Sequence, residues 1–420
     1  LGAYVQQQFG FNDRLFVTAA IRGDDNSAFG TDFGLVWYPS LSASWIVTEE
    51  SWLQDIGWLN TFRLRGAFGR SGLRPGFRQA LTYYKPVGAT VASRDVPAFS
   101  VGGVGDPALK PELSTEVEVG FDLGLLNDRV GFEFTYYDKT SEDALVSRRL
   151  APSLGLASNR FENIGEVENR GLELLLNADL VESDNFRWDA AVSYATNHNE
   201  LVAGPADPIT VPGSLVGSQR HVVGYPLGGF WYLPYEWEDP NGDGLIAIGD
   251  VTVADTVAYA GQPLPTRTAS LSSSITLFNF LRISGLLEHQ GGHTQWSGTD
   301  EWQCVFLLCR DVNAADTSPE HQARAVADAI HGTWFGYFED ADFVKLREVA
   351  VTLTAPEALA ERFRLGGVSF TLSGRNLKTW TDYTGLDPES NYAGADNWVT
   401  TEFQTQPPVR QWTARVNVNF

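Results

Sequence analysis

An acidic segment near the middle of the chain has the residue spacing of a calcium-binding loop. Within residues 239–250, oxygen-bearing groups fall at positions 1, 3, 5, 7 and 12, with glycine at position 6 and an apolar residue at position 8. The last position holds Asp instead of the longer Glu, and a polar Asp-Gly turn is the alternative. We therefore expect either a plain turn or a structural calcium ion, with no other cofactor required. The calcium ligands would be Asp239, Asn241, Asp243, the Leu245 carbonyl and Asp250.

Two cysteines stand close together in a segment rich in Trp, Phe and Asp. Cys304 and Cys309 are separated by four residues, which permits a small disulfide loop in an oxidising compartment. No histidine pair or CxxC motif accompanies them, so we favour a disulfide over a metal site or a nucleophile. His289 and His293 are spaced like a zinc motif, but the two glycines between them disfavour a helix. We expect these histidines at the rim of a loop.

Aromatic residues are concentrated in two segments that we expect to be loops. Flat rings there could stack on sugar faces or pack against a partner protein. The alternatives are an aromatic girdle at a membrane interface and small cores within the loops. The candidates for substrate or partner contact are Trp231, Tyr232, Trp237, Trp296, Trp302 and Trp334.

Catalytic motifs are not evident in the sequence. Glu116 and Glu118 could suggest glycoside hydrolysis, but both lie on one face of one predicted strand, without an apolar pocket to raise either pKa. No Ser-His-Asp pattern, Walker loop or dinucleotide-binding loop occurs. We interpret the two carboxylates as a solvated lining, and we expect that the protein is not an enzyme.

Composition and charge narrow the class of protein. Abundant glycine (41 residues) and 12 % aromatic residues favour strands and turns. The net charge of -22 repels phosphate backbones, so nucleic acid is not an expected partner. No apolar run is long enough for a transmembrane helix. Since neither methionine nor a signal peptide is present, we interpret Leu1 as a break within a longer exported protein.

Apolar and polar residues alternate with a period of two over many segments of about ten residues, as membrane-spanning barrel strands require. Polar side chains on the second face suit a water-filled lumen better than the core of a sandwich. The last segment shows the pattern best, with one face made of Trp412, Ala414, Val416, Val418 and Phe420. The same split recurs within 116–123, 130–137, 172–177, 186–194 and 368–373.

The spacing of these segments predicts an all-β transmembrane antiparallel barrel. The connections alternate between compact turns and long segments, and barrels of outer membranes have short periplasmic turns and long extracellular loops. We therefore place the C-terminus in the periplasm and the long segments outside, at 71–112, 141–166, 198–264, 291–341 and 378–408. About thirteen strands are predicted, near 2–9, 13–22, 33–47, 60–70, 113–125, 129–140, 167–180, 185–197, 265–276, 280–290, 342–354, 366–377 and 409–420.

Two further expectations concern helices and the number of strands. Short helical turns are predicted in the connections 48–59 and 355–365, and a helix capped by Ser318 is predicted in an external loop. Bacterial single-chain barrels have even numbers of strands, so an odd number is expected of a truncated chain. A sheet with two unpaired edges would not be stable alone.

The run from Asn163 to Glu173, NIGEVENRGLE, resembles the "NIG-V-N-GLE" signature of the SusC/RagA group of TonB-dependent receptors. Further matches follow the order of that family along almost the whole chain. They are Tyr38-Pro39-Ser40, Ser44-Trp45, Leu109-Lys110-Pro111-Glu112, Gly120-Phe121-Asp122, Gly224-Tyr225-Pro226-Leu227-Gly228, Gly374-Arg375-Asn376-Leu377, Tyr383, Gly385, Asp387-Pro388-Glu389 and Phe420.

The resemblance implies a fold and a function. Residues 1–420 would be the C-terminal part of a barrel of about 22 strands, with the signal peptide, plug and first strands absent. The protein would lie among the lipids of the outer membrane of a Gram-negative bacterium and import oligosaccharides or peptides. Its partners would be a SusD-like surface lipoprotein and, through the absent N-terminal part, the TonB complex. Phe420 would be an assembly signal or simply a lipid-facing anchor.

Two other classes of function stay open at this point. The first is a passive porin or a siderophore receptor of similar shape. The second is a soluble, surface-exposed β protein that binds carbohydrate, against which the alternating loop lengths and Phe420 argue.

Overall fold

The computed structural model describes residues 1–26, 34–53, 56–151, 153, 159–163, 165–211, 213–214, 217–314, 316–394 and 399–420. Ile164 of the signature run lies outside the described residues. Within the described part, one antiparallel sheet of fourteen strands dominates the molecule. Strands are numbered in chain order, and thirteen of the fourteen follow one another across the sheet. They are β1 (Gly2–Phe11), β2 (Leu15–Asp24), β3 (Val36–Ile46), β4 (Leu59–Leu73), β7 (Glu112–Leu125), β8 (Val130–Glu142), β11 (Glu166–Ser183), β12 (Phe186–Thr196), β20 (Arg267–Leu277), β21 (Leu281–Gly291), β24 (Phe343–Thr354), β25 (Gly367–Thr381) and β26 (Gln411–Asn419).

Each of the predicted strands overlaps one strand of this sheet, and successive predicted strands are neighbours in it. The fourteenth strand, β13 (His198–Ala203), was not predicted. It pairs with the first residues of β11, Glu166 to Arg170. We call the fourteen-stranded sheet the wall. In the described residues β1 and β26 are its two edge strands and do not pair with each other, so the wall is open between them. An all-β barrel wall is therefore present, without closure into a complete barrel.

Compact turns join the strands at one end of the sheet, which we call the turn end. Asn12 and Asn279 show how the chain reverses over three residues, because each belongs to a pair of residues with positive φ. The pairs are Asn12 and Asp13, with φ of 51° and 54°, and Phe278 and Asn279, with φ of 51° and 57°. Two such residues give the turn the twist that flanking antiparallel strands need. The predicted short turns thus have a local cause.

The opposite end, which we call the long-loop end, carries folded loops. Small sheets in these loops consist of β5 (Tyr83–Val91), β6 (Arg94–Gly103), β9 (Leu145–Arg149), β10 (Asn159–Asn163), β14 (Ile209–Thr210), β15 (Gln219–His221), β16 (Gly229–Tyr232), β17 (Tyr235–Trp237), β18 (Val251–Val253), β19 (Ala258–Gly261), β22 (Thr294–Trp296) and β23 (Phe338–Asp340). The loop between β21 and β24 also holds α1 (Gly298–Val305), α2 (Arg310–Asn313) and α3 (Pro319–Ala329).

Helix α3 is the helix that the sequence predicts after the capping residue Ser318. The Ser318 Oγ accepts a hydrogen bond from the His321 amide, and Pro319 opens the first turn, where its missing N–H costs nothing. The short helical turns predicted in the connections 48–59 and 355–365 are present as a 3₁₀ turn at Val47–Glu49 and as helix α4 (Glu357–Arg362). Among the described helices, none has the length and apolar character needed to cross a membrane.

The two faces of the sheet differ as the alternation predicts. One face, the apolar face, exposes large aliphatic and aromatic side chains that no other part of the described chain covers. Val119, Leu176, Ile283 and Phe370 are each about two-fifths to one-half exposed, at 49 %, 39 %, 41 % and 41 %. The other face, the polar face, carries charged and hydroxyl side chains. Burying apolar side chains stabilises a fold in water, so an uncovered apolar face of this extent fits a hydrocarbon surrounding.

Apolar cores lie in the loops. One cluster joins Ala144, Val167, Leu201, Ile209 and Leu227 close to the sheet. A second packs the segment around Ile246 on Ala323 and Ala327 of α3. A third contains Trp296, Tyr337 and the two cysteines. The loops are therefore packed units at one end of the wall, where they can position functional side chains.

Candidate functional site

The polar face of the wall is cross-linked by side chains of neighbouring strands. Arg65 on β4 donates from Nε to Asp122 on β7 at 3.1 Å and from Nη2 to Thr135 on β8 at 2.6 Å. Further along the sheet, Ser193 and Ser270 are hydrogen-bonded at 2.7 Å, and Arg375 donates to Glu348 at 2.6 Å. Most of these groups keep contact with water, so the face is suited to line an aqueous passage.

A bulge in β24 brings two cations to the polar face. The register shifts between Leu346 and Glu348, and Arg347 is the additional residue. Arg347 donates to Glu288 at 2.7 Å and, with both terminal nitrogens, to Glu389. Lys345 Nζ donates to both oxygens of Asp387, at 2.8 and 2.9 Å. We call the ion pairs of Lys345 and Arg347 with Asp387 and Glu389 the latch. The latch fixes the loop after β25 to the wall.

Burial strengthens the latch. Lys345 is 3 % exposed and Asp387 is 8 % exposed, so water screens their attraction weakly. Burial is the largest single effect on the pKa of Glu389 and raises it, but the hydrogen bonds and charges of Arg347 and Lys345 together outweigh burial and hold this pKa below its usual range. The sequence showed Asp387-Pro388-Glu389 only as a family match, and it gave no sign of which cations would meet these carboxylates.

A cavity of about 630 Å³ lies on the polar face at the long-loop end. Its floor is formed by β7, β8 and β11, with Lys139 of β8 between Glu116 of β7 and Asn169 of β11 in the register. Its roof is formed by loop residues, including Leu145 and Leu227. Sequence reasoning did not find this cavity, because its floor and roof come from segments far apart in the chain.

The predicted aromatic contact residues mostly pack on one another. Tyr232 stacks on Trp334 with ring centroids 5.4 Å apart, and Trp334 stacks on Trp296 at 5.0 Å. Phe403 continues this column beside Trp296 at 6.2 Å, so three loops meet in it. Trp296 is 3 % exposed and both of its ring faces are occupied by the column, so its contact with a ligand stays a prediction that this packing does not support. The column belongs to a loop core, the alternative left open above.

The other aromatic candidates differ in exposure. Trp231 packs edge-on against Tyr225 at 4.7 Å. Trp302 is 46 % exposed and Trp237 is 36 % exposed, so both rings offer surface to a ligand or partner. Tyr232 and Trp334 are half-buried in the column. Contact with substrate stays a prediction for these residues.

Cys304 and Cys309 form a disulfide in the structure, with Cα atoms 4.6 Å apart. The bond closes a short loop whose tip carries Phe306, Leu307 and Leu308, which are 57 %, 62 % and 74 % exposed. Asn313 Nδ2 holds the loop by donating to the Leu307 carbonyl at 2.7 Å. We call residues 305–308 the apolar knob.

Arg324 is the central cation of the loop core around α3. It is 6 % exposed and donates from Nη2 to Asp300 at 2.8 Å and from Nη1 to Glu339 at 2.8 Å. Asp311 accepts a third bond, and the Tyr337 ring lies 4.5 Å below the guanidinium. One buried guanidinium thus serves three carboxylates and joins α1, α2 and β23.

Two carboxylates of the same core form no ion pair with any cationic side chain in the part of the chain that the structure describes. Glu301 and Asp328 are 2 % and 5 % exposed, and one oxygen of each has no hydrogen-bond partner among the described residues. Burial, with a smaller contribution from Asp328, raises the pKa of Glu301 to about 8. Burial raises the pKa of Asp328 to about 7, although a hydrogen bond from Trp334 opposes the shift. Burial therefore favours the protonated form of both groups.

The predicted calcium loop forms a compact turn docked on α3. Asp239 accepts from the Gly242 and Gly244 amides at 2.9 Å each, and Gly244 has the left-handed φ of 78° that its position in such a loop requires. Asp243 accepts from the Leu245 amide at 2.8 Å, and Asp250 accepts from the Ala247 amide at 2.8 Å. The carboxylates are thus turned toward backbone amides.

The acidic ligands of that loop do not converge. In the described part of the chain, three or more potential ligand atoms of His, Cys, Asp or Glu lie within 4.8 Å of one another only at Cys304, Cys309 and Asp311. There the disulfide occupies both sulfur atoms. Calcium binding at 239–250 stays a prediction.

The two histidines lie at the long-loop end of β21, as expected of a rim position. His289 Nδ1 is 2.8 Å from the Phe343 carbonyl oxygen. Burial lowers the pKa of His293 to about 4, so this side chain is neutral. Glu116 and Glu118 lie on the polar face opposite Lys139 and Tyr137, as predicted for a lining. Phe420 lies fully exposed after β26, and its role in assembly stays a prediction.

Comparison with known proteins adds the family context. Residues 1–297 match the model of the family described as "TonB dependent receptor-like, beta-barrel". TonB-dependent receptor P3 of Formosa agariphila is 25 % identical over 448 residues, which cover 98 % of this chain and 44 % of that protein. TonB-dependent receptor SusC of Bacteroides thetaiotaomicron is 27 % identical over 270 residues, covering 57 % of this chain and 26 % of SusC.

A solved structure shares the fold over the full described chain. The RagAB peptide transporter superposes with a TM-score of 0.80 at 20 % identity, covering 100 % of this chain and 47 % of that chain. The present chain therefore spans less than half the length of these similar proteins.

Proposed function

The chain belongs to the family of TonB-dependent receptor β-barrels, and from this premise we propose that it forms part of the wall of an outer-membrane importer of oligosaccharides or peptides. One observation carries the proposal. In the described residues the sheet has an uncovered apolar face and a hydrogen-bonded polar face, and the long loops that contain small sheets stand at one end. Such a wall suits a water-filled passage through a Gram-negative outer membrane, with the loops meeting the substrate outside. The complete barrel would have about 22 strands.

Energy and specificity would come from parts beyond this wall. By similarity to SusC and RagAB, a TonB complex would drive transport through the N-terminal part of the receptor, and a SusD-like surface lipoprotein would cover the loops. The relatives are named as receptors or a transporter, which supports transport and not catalysis. The alternatives of a passive porin and a siderophore receptor predict different responses to energy and to iron.

Uptake by cells tests the proposal. A strain carrying the full-length receptor is supplied with labelled peptide, oligosaccharide and ferric-chelate pools, before and after a protonophore collapses the inner-membrane gradient. We expect uptake of a peptide or oligosaccharide that stops with the protonophore. Unchanged uptake without the gradient would indicate a porin, and accumulation of iron chelates alone would indicate a siderophore receptor.

The apolar knob is the surface that we propose for contact with the lipoprotein. Its side chains are exposed, and the disulfide fixes their backbone, so little conformational entropy is lost when a partner binds them. Changing Phe306→Ser and Leu308→Ser together should reduce co-purification of the partner while receptor abundance stays constant. The control is Leu126→Ser, an exposed leucine at the turn end. Equal co-purification of both variants would count against the knob.

A further inference from the structure

A two-stranded hairpin at the long-loop end stands apart from the wall. It consists of β5 and β6, in the loop between β4 and β7, and we call residues 74–103 the basic hairpin. Thr90 Oγ1 donates to Asp95 at 2.8 Å within it. In the described part of the chain, neither a hydrogen bond nor an ion pair joins β5 or β6 to a wall strand or to another loop. A two-stranded hairpin is marginally stable alone in water, so this one requires a surface to pack on.

The basic hairpin is positively charged in an acidic protein. It contains four cations and one carboxylate, whereas the whole chain has a net charge of -22. The cations are exposed and form no ion pair with a described residue, and they are Arg74, Arg78, Lys85 and Arg94. Arg78 lies against two rings of the same loop, 4.8 Å from the centroid of Phe77 and 5.2 Å from that of Tyr83. Four unpaired cations favour an anionic partner.

Large apolar side chains of the basic hairpin are exposed as well. Tyr84, Val91 and Phe99 are 65 %, 60 % and 78 % exposed. Tyr84 and Phe99 lie on one face of the hairpin, and Val91 pairs with Arg94 on the other face. Exposed rings and aliphatic side chains beside free cations are typical of segments that lie at the boundary between lipid headgroups and acyl chains.

The wall places the base of the hairpin outside the hydrocarbon layer. On the apolar face, Phe68 of β4 pairs with Val117 of β7, and the next outward pair on that face is Arg70 with Thr115. This change from apolar to polar pairs marks the outer edge of the apolar band. Arg74 follows at the start of the loop, directly after β4. The hairpin therefore leaves the wall on the side where the headgroups of the outer leaflet lie.

We propose that the basic hairpin docks among the phosphate-bearing headgroups of the outer leaflet. Its four cations pair with lipid phosphates, and the headgroup layer covers the exposed side chains of both of its faces. This inference rests on the proposed location in an outer membrane. It goes beyond import, because it assigns a lipid partner to one loop and holds that loop against the membrane.

Quenching of a fluorescent label by lipid tests the proposal. Full-length receptor with Val91→Cys carries a bimane label at that position, since the two native cysteines are joined in a disulfide. The receptor is reconstituted in phosphatidylcholine vesicles with nitroxide-labelled headgroups, with or without added phosphatidylglycerol. One cation near an anionic surface strengthens attachment about fivefold. We therefore expect the ratio of docked to free hairpin to rise about tenfold or more with phosphatidylglycerol.

Variants and salt identify the groups responsible. Glutamine in place of all four cations should remove the effect of phosphatidylglycerol. Salt at about 1 M should also remove it from the unchanged hairpin, because the Debye length is then about 3 Å. The control, Arg362→Gln with Arg364→Gln, neutralises exposed cations at the turn end and should leave the effect unchanged. A label at Leu245→Cys, an exposed leucine of another long loop, should not respond to phosphatidylglycerol.

Three results would overturn the docking. The first is equal quenching of the label at Val91→Cys with and without phosphatidylglycerol. The second is an equal response of the label at Leu245→Cys, because attraction to lipid would then not belong to the hairpin. The third is a response to polygalacturonate, dependent on the four cations, in place of a response to phosphatidylglycerol, because the occupant would then be an acidic glycan.

Failure of this inference is distinguishable from failure of the proposed function. If the label does not respond to anionic lipid while cells show gradient-dependent uptake, the docking is wrong and import stands. If no pool is taken up in a gradient-dependent manner by wild-type cells, the proposed function itself is wrong.

Discussion

Lys345 places a buried positive charge between two carboxylates that belong to a different segment of the chain. Replacing it by methionine would leave Asp387 and Glu389 without this counter-charge in a poorly hydrated site. Removal of one partner from a buried pair costs about 3–5 kcal/mol. We expect Lys345→Met to release the loop after β25, seen as faster proteolysis within residues 382–394 in the folded receptor.

The matched control for that change is an exposed ion pair. Arg310 and Asp316 are 71 % and 76 % exposed at their side chains, so Arg310→Met should change stability by less than about 0.5 kcal/mol. The double variant Lys345→Met with Asp387→Leu should recover part of the protection, since it removes the unpaired charge as well. Equal proteolysis of wild type and Lys345→Met would contradict the latch.

Glu301 and Asp328 make the loop core sensitive to pH. Their pKa values are raised by burial to about 8 and about 7, so the folded core favours their protonated forms. The stability that this contributes is fully present below pH ~4, where the unfolded chain is also protonated, and it is lost as pH rises through 7 to 8. Tryptophan fluorescence of the column should therefore report a looser core at pH 9 than at pH 6.

Neutral variants provide the check on this pH dependence. Glu301→Gln and Asp328→Asn together should flatten the fluorescence change between pH 6 and pH 9. Glu320→Gln, an exposed residue of α3, should not flatten it. A wild-type receptor whose loop core is more ordered at pH 9 would contradict the assignment.

One substitution, measured by calorimetric titration, tests calcium binding at 239–250. If the loop binds calcium, Asp243→Ala should abolish calcium-dependent heat on titration of the receptor, because it removes a ligand at position 5. Asp255→Ala, in the exposed connection after β18, is the control. Absence of any calcium-dependent heat that Asp243→Ala removes would leave the segment as an Asp-Gly turn docked on α3.

At the scale of elements, the wall strands, helix α3 and the disulfide were predictable, whereas the short strands of the loops were not. Each wall strand repeats apolar and polar residues with a period of two, and this local pattern is visible in the sequence, as in Leu172, Glu173 and Leu174. Loop strands such as β22 have three residues, too few for a pattern. Trp296 looked like an exposed ligand platform because its stacking partner Trp334 is distant in sequence.

The bulge at Arg347 is an element-scale feature that the alternation alone does not locate. It lets Lys345 and Arg347 reach the latch while residues beyond Glu348 keep their faces. A one-residue change of register moves every following side chain to the opposite face. Deleting Arg347 should therefore turn Lys345 toward the apolar face and abolish assembly of the receptor.

Outer-membrane abundance measures this effect. Receptor lacking Arg347 should be absent from washed outer membranes, whereas receptor lacking Asp255 should be present at the wild-type amount. Normal abundance after deletion of Arg347 would show that the strand tolerates either register.

At the scale of the whole molecule, an outer-membrane barrel wall requires that its two faces meet different solvents. The chain matches the family over residues 1–297, but its polar and apolar faces are what separate a membrane barrel from a soluble β protein. In a soluble sheet the polar face would meet bulk water and the apolar face would be covered by protein. In the described residues the apolar face is uncovered.

Cysteine labelling on β11 measures this most directly. The two native cysteines are joined in a disulfide, so single cysteines introduced into the full-length receptor can be compared with it as background. In intact outer membranes, Glu173→Cys and Asn177→Cys should react with a hydrophilic maleimide, while Leu172→Cys and Leu176→Cys should stay protected until detergent is added. Equal reaction at all four positions, or protection of the polar face alone, would contradict an outer-membrane barrel wall.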